Sequence, residues 1–286
     1  MKFVYYAVFI PLSHLPLWAL YRLSDVAFFA MYYVVGYRKR VVVENLRSSF
    51  PEKSPAEIES LARKFFAHLC DLIVESIKGS SISEAEIARR HRYTNPGLLA
   101  EYHAKGKSLS ILGAHYGNWE WVALSLPLVT RYKTHGIFQT LNNEFMNRTI
   151  KASRERNGMK LISTKEVSRT LRDSTGELIT MGYIADQSPA RTSRHHWIKF
   201  LGQDTPANFG YERFAREYDT PVLYLNVTKV GRGYYECTFH PVTDEPAKLA
   251  EGALAEQFMR QLEGVIRKQP EYWLWSHRRW KIKKPT

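Results

Sequence analysis

The chain has 286 residues, enough to bury one sizeable core with a small appendage, and its 44% hydrophobic and 24% charged residues exclude a disordered or fibrous class. Forty-one Lys and Arg against 28 Asp and Glu leave a formal net charge of +13, which draws the protein toward anionic surfaces, either nucleic acid or phospholipid headgroups. Seven Trp and 17 Tyr favour the membrane interface of the two, and Cys70 and Cys237, far apart, form no metal or redox motif and fit a reducing compartment.

Residues 3–20 contain no Lys, Arg, Asp or Glu. As a helix they would extend about 27 Å, close to the hydrocarbon thickness of a bilayer. Pro11 and Pro16 interrupt the run, and Ser13 and His14 add polarity. A second apolar run, Val26 to Val35, follows Arg22 and Asp25, and the basic cluster Arg38, Lys39 and Arg40 comes next. Three readings fit: a cleaved signal peptide, for which Lys2 supplies a basic start but no cleavage site is evident; a buried core helix; and a kinked anchor inserted in or lying on the interface. The third is preferred, with the basic cluster on the cytoplasmic side. Residues 1–50 then form a membrane-associated helical region ahead of a domain over 51–286.

Ser54-Pro55-Ala56-Glu57 is a helix start, with Ser54 as cap and Glu57 closing a capping box. Ile58, Leu61, Phe65, Leu69, Leu72 and Ile73 then recur with a helical period and define one buried face. Residues 108–114, 178–185, 221–228 and 234–240 read as strands. Helical patterns fall at 119–129, 145–157, 165–173, 207–218 and 247–268. Strands alternating with helices predict an α/β fold with a central, largely parallel sheet flanked by helices.

His115 follows the first of these strands and Glu120 enters the helix after it, in the segment GAHYGNWEW. Five residues along a regular helix would leave the two side chains about 140° apart. Gly117 and Asn118, the latter a plausible cap, supply the break that lets them meet. A carboxylate at a helix N-terminus, bonded to one ring nitrogen, would hold the other nitrogen as a base. No G-x-S-x-G elbow occurs and neither Cys is expected to have a His partner, so the base would act on a substrate hydroxyl. On spacing alone the plainer reading, a loop histidine beside a helix-start acid, stands next to this one.

GAHYGNWEW closely resembles the His-x-x-x-x-Glu block of the lipid A biosynthesis acyltransferases, the lauroyl and myristoyl transferases. YRKRVVVENLRSSFPEKS (37–54), MGYIADQS (181–188) and PEYWLWSHRRWK (270–281) are similar, in order and spacing, to three further blocks of that family. The resemblance implies transfer of a fatty acyl group from an acyl thioester, acyl carrier protein or acyl-CoA, to a lipid hydroxyl at the cytoplasmic face of the inner membrane. It implies His115 as general base and Glu120 as the residue that orients it, with neither metal nor bound cofactor. It further implies Asn118, Arg154, Asp186, Gln187, Arg278 and Arg279 as substrate contacts. Asp186 and His115 would share the carboxyl edge of the sheet. The family's pattern is broken at GIFQT, where Gln139 stands in place of an Arg that relatives often carry.

The last ten residues hold five Lys or Arg and no acid, with Trp273, Trp275 and Trp280 beside or among them. This segment is expected at the headgroup level of a membrane, and Arg191, Arg194 and Lys199 are expected on a basic loop after Asp186. The leading function is O-acylation of a lipid A precursor. A lysophospholipid, an amino-acid lipid or another glycolipid are alternative acceptors within the same chemistry. A non-catalytic basic protein that binds membrane or nucleic acid is the alternative of another class; no nucleic-acid motif appears, and nucleic acid is not expected as a partner.

Overall fold

A computed structural model describes residues 2–140, 142–174 and 176–285. Its core is a seven-stranded sheet built from β1 His91–Tyr93, β2 Leu109–Gly113, β3 Lys133–Ile137, β4 Lys160–Ile162, β5 Ile179–Ile184, β8 Val222–Gly231 and β9 Tyr234–Thr243, in the spatial order β1-β9-β8-β2-β5-β3-β4. β8, β2, β5, β3 and β4 are mutually parallel; β9 returns antiparallel to β8, and β1 runs parallel to β9. The sheet is therefore mostly parallel, as expected. Strands buried on both faces must be apolar throughout rather than alternating, which is why SILG and ITMGYI carry no period of two.

β6 His195–Phe200 and β7 Gln203–Asn208 form a separate antiparallel hairpin. It occupies the segment expected to be a basic loop and takes the first residues of a helix expected at 207–218, which runs only over Gly210–Glu217. Its turn places Leu201 and Gly202 at φ 49° and 76°. A Leu with positive φ is a poor hairpin signal, and the cost is met by full burial of its side chain. The helix expected at 119–129 is three short pieces, Trp119–Trp121, Val122–Ser125 and Leu126–Val129, the first and last of them 3₁₀ turns.

The helix Pro55–Lys78 is the spine of the molecule, and Ser54 and Glu57 make the expected reciprocal cap. Ile58, Phe65 and Leu72 are buried as the period requires, whereas Ile73 faces out. A second, polar stripe of the same helix is also buried. Asp71 accepts from Ser24 Oγ at 2.8 Å, Glu75 accepts from Tyr21 Oη at 2.8 Å, and Lys78 Nζ donates to the carbonyls of Ser13 and Leu15 at 3.1 and 3.0 Å. These bonds seat the N-terminal helices Ile10–His14 and Leu17–Phe29, which meet at an extended bend over Leu15 and Pro16. Among the described residues no helix is long and apolar enough to cross a membrane.

Trp273, Trp275 and Trp280 are buried in the main core rather than placed at a surface, so they are not headgroup anchors. Each satisfies its indole N–H internally: Trp273 on Asp186, Trp275 on the Pro270 carbonyl and Trp280 on Thr205 Oγ1.

Glu75 has no solvent exposure. Burial pushes its carboxyl up to about 7, against the pull of Lys229, Tyr235 and Tyr21. Between the ordinary 4.5 and that value the folded state holds the proton more tightly than the unfolded chain, so stability falls as pH rises through the window. Glu75→Gln is therefore expected to flatten the decline in melting temperature between pH 5 and 8, read by circular dichroism; an unchanged slope would contradict the assignment.

Candidate active site

Parallel pairing of β2 and β5 decides which residues leave the two strands side by side. Gly113 lies opposite Ile184, so the residues two places beyond each emerge together at the carboxyl edge of the sheet. Those residues are His115 and Asp186. His115 Nδ1–H donates to Asp186 Oδ1 at 2.7 Å, the His115 backbone N–H donates to Oδ2 at 3.0 Å, and Trp273 Nε1–H donates to Oδ2 at 2.7 Å. Burial opposes the Asp186 charge, but His115 and these three donors outweigh it and hold the carboxyl below its usual range. A carboxylate on Nδ1 assigns the proton to that nitrogen and leaves the Nε2 lone pair as the acceptor. Gln187 Nε2–H donates to it at 3.1 Å.

Glu120, expected as the partner of His115, is turned elsewhere. Arg154 Nε and Nη2 donate to Glu120 Oε2 at 3.1 and 2.6 Å, and Trp119 Nε1 donates to Oε1 at 3.2 Å. The reason is local. Glu120 enters a 3₁₀ turn rather than an α-helix, and its side chain points to the helix Glu144–Glu155, which carries Arg154. The ring lying against His115 is that of Trp119, edge on at 5.1 Å.

Arg154, Gln187, Glu120 and His115 line one cavity of about 1000 Å³. Its walls continue into apolar residues, among them Ile111, Val122, Leu126, Leu161 and Leu225, a lining suited to an alkyl chain. Gly136 and Gly182, in register on β3 and β5, leave that part of the sheet without side chains. The other expected contacts do not line it. Asn118 is fully buried, its Oδ1 capping the Trp121 N–H at 3.1 Å and its Nδ2 donating to Glu75 at 2.6 Å. Arg279 is fully buried and donates to the Pro206 carbonyl at 2.8 Å, and Arg278 is exposed outside the cavity. Asn118 and Arg279 are thus buried away from this cavity, where substrate contacts were expected.

The loop that carries His115 is pinned from several sides. Gly117 has φ +60°, and a Cβ there would lie 2.1 Å from the Val227 carbonyl oxygen, so the position admits only glycine. Gly117 N–H donates to the Tyr272 carbonyl at 3.1 Å, and Leu274 N–H donates to the His115 carbonyl at 3.0 Å. The C-terminal segment that makes these bonds is itself held by Asn45, whose Nδ2 donates to the carbonyls of Trp275 and His277 at 2.8 and 2.9 Å, and by Arg38 on the Ser276 carbonyl at 3.0 Å. The four blocks singled out in the sequence therefore converge on one place. Trp273 was not foreseen as a partner of the site, and its indole donor in a segment of tryptophans was the available signal.

Two other places bring histidines near reactive or open surroundings, and neither is built as a reaction centre. Cys237 Sγ lies 3.2 Å from His91 Nδ1, a pair the sequence did not suggest. Both groups are buried; burial pushes the thiol far up and the imidazole down to about 3, the reverse of an activated thiolate. A second cavity of about 700 Å³ contains His135, which faces the Lys133 carbonyl at 3.2 Å rather than a carboxylate. Among the described residues no cluster of His, Cys, Asp and Glu could hold a metal ion.

The model of the family described as bacterial lipid A biosynthesis acyltransferase matches residues 1–282. No curated protein matches the chain. Asp186→Asn keeps the shape of the site and removes the charge that fixes the His115 tautomer. It is expected to lower kcat by about 10²–10⁴-fold with the fold retained by circular dichroism; wild-type turnover would remove Asp186 from the reaction centre.

Proposed function

We propose, from the premise that the chain belongs to the bacterial lipid A biosynthesis acyltransferase family, that it moves a fatty acyl group from an acyl thioester to a hydroxyl of a lipid A precursor at the cytoplasmic face of the inner membrane. Membership makes the chain an acyltransferase of lipid A biosynthesis. The observation that carries the finer reading is a histidine whose Nδ1 rests on a buried carboxylate and whose Nε2 opens on a cavity with apolar walls.

In this reading the lipid hydroxyl displaces the Gln187 amide from His115 Nε2 and gives up its proton there as its oxygen attacks the thioester carbonyl. The carbon–oxygen double bond opens to an oxyanion, for which Gln187 and Arg154 supply N–H donors at the cavity. The oxyanion collapses, the carbon–sulfur bond breaks, and the departing thiolate takes the proton from the imidazolium. Asp186 offsets the imidazolium charge while it exists. Glu120 holds Arg154 in place through two charge-assisted bonds. Acyl carrier protein and acyl-CoA are both acidic donors suited to a chain of charge +13, and Lys165 lines the cavity to meet them. Gln139 lines the same cavity, so acceptor recognition at that point rests on a neutral amide.

The membrane reading is supported by the N-terminal helices, which leave many apolar side chains exposed. Ser13 and Ser24 face the body of the protein, while Phe3, Trp18, Val26, Phe29, Val34 and Val35 are 60–81% exposed. Exposed apolar side chains in this number favour burial in the acyl boundary of a bilayer, with the helices lying in the interface. Tyr5 packs edge on against Phe145 at 5.5 Å, on the helix that carries Arg154, which sets this surface beside the cavity.

His115→Ala is expected to reduce acylation of a lipid A precursor by about 10²–10⁴-fold, followed by mass spectrometry of the product lipid; retained activity would overturn the base assignment. Replacing Val26 and Phe29 together by Glu is expected to shift the protein from vesicle-bound to free in a flotation assay with anionic vesicles. An unchanged bound fraction would count against the interfacial helices.

A further inference from the structure

A carboxyl in the middle of the core needs a reason, because an apolar residue of the same size would pack there without partners to find. Glu75 is such a group, and its contacts lead to one turn, one helix and the strand β9. Oε2 accepts from Asn118 Nδ2 at 2.6 Å and from Tyr235 Oη at 2.7 Å, and Oε1 accepts from Tyr21 Oη at 2.8 Å. The backbone carbonyl of Glu75 accepts from Trp121 Nε1 at 3.0 Å. Both ends of the turn Asn118–Trp121, which carries Glu120 between them, are thus tied to a single residue.

Two buried histidines complete the support. His91 Nε2 donates to the Asn118 carbonyl at 3.1 Å, and His68 Nε2 donates to the Gly117 carbonyl at 3.3 Å. Burial drives both imidazoles down to about 3, so they stay neutral and their bonds do not change with pH in the physiological range. Tyr21 belongs to the helix Leu17–Phe29, and its hydroxyl nests on Gly233, where a Cβ would come within 2.0 Å of it. The path from the apolar N-terminal helix to the reaction turn is therefore two hydrogen bonds long, Tyr21 to Glu75 and Glu75 to Asn118.

We infer that Glu75 is a positioning residue for acyl transfer: it fixes the Asn118–Trp121 turn, and with it the Glu120–Arg154 pair relative to His115, and through Tyr21 it ties that turn to the N-terminal helix. This rests on the reading of His115 as the base and extends it to residues that touch neither substrate nor the reacting atoms.

The test uses the purified full chain with acyl thioester and lipid acceptor in mixed micelles, and reads kcat, KM and melting temperature for Glu75→Leu, Glu75→Gln and Tyr21→Phe, with His115→Ala alongside. Glu75→Leu is expected to lose about 10²-fold in kcat, the scale of a misplaced reacting group, with KM unchanged. Glu75→Gln is expected to recover most of it, since its oxygen can accept from Asn118 and Tyr235 while its amide donates to the Tyr21 hydroxyl. Tyr21→Phe is expected to lower kcat by less, again at constant KM. A folded Glu75→Leu or Tyr21→Phe protein with wild-type kcat would overturn the inference, as would a Gln variant no better than Leu. Should Glu75→Leu not fold, Tyr21→Phe, which removes one hydroxyl, decides alone. Retained turnover in His115→Ala would instead sink the base assignment, whatever the Glu75 variants do.

Discussion

A carboxylate shielded from water must find its partners inside the protein, and Asp186 finds three N–H donors from two distant parts of the chain. That requirement organises the molecule. One donor is the backbone of His115, which fixes where the loop leaves β2; one is the imidazole, which fixes its tautomer. The third is the Trp273 indole, which can arrive only if the C-terminal segment folds back across the sheet edge. Asn45, Arg38 and the ring of Phe50, 5.9 Å from that of Trp275, hold that segment in turn. Segments as far apart as residues 38 and 277 are thereby bound into one structure around a single buried charge.

The same constraint separates what could be read from the chain from what could not. β2 and β5 were legible because strands buried on both faces are largely apolar runs, and β8 and β9 because Pro221 precedes the first and Gly231 to Gly233 separate the two. The start of Pro55–Lys78 was legible because a capping box is a local event. The partner of His115 was not, since it depends on which strand lies next to β2, and the two residues stand 71 positions apart in the chain. Glu120 was the nearer acid in sequence, and Arg154 claimed it through tertiary contact. Asn118 was correctly seen as a cap, and that role leaves its side chain facing the core rather than the cavity. β1, β3 and β4 are short and carry His, Arg, Lys or Thr, so their burial comes from neighbours rather than from composition. The terminal tryptophans read as interfacial because basic residues flank them, yet each had an internal acceptor for its N–H.

The N-terminal region reverses the usual distribution of polarity. It is joined to the body by Ser24, Tyr21, Arg232 and Lys78, with Arg232 Nη2 bridging Asp25 and Asp71 at 2.6 and 2.7 Å, and by the buried Leu17, Leu20 and Tyr32, while Phe3, Trp18, Val26, Phe29, Val34 and Val35 face outward. Polar contacts of this sort are directional, so they set the angle of the helices more sharply than the apolar contacts alone would. The exposed apolar surface is held at a fixed orientation to the cavity in this way, and Asp71 and Glu75 of the spine helix serve that purpose while Glu75 also reaches the Asn118–Trp121 turn.

The chemistry proposed for the site depends on which nitrogen of His115 carries the proton. Nitrogen-15 NMR of histidine-labelled protein reads this directly, with Asp186→Asn used to assign the His115 signal. The expected result is a neutral His115 protonated on Nδ1, with a proton resonance shifted strongly downfield by the Asp186 carboxylate and lost on substitution. A His115 protonated on Nε2, or one indifferent to Asp186, would contradict the assignment.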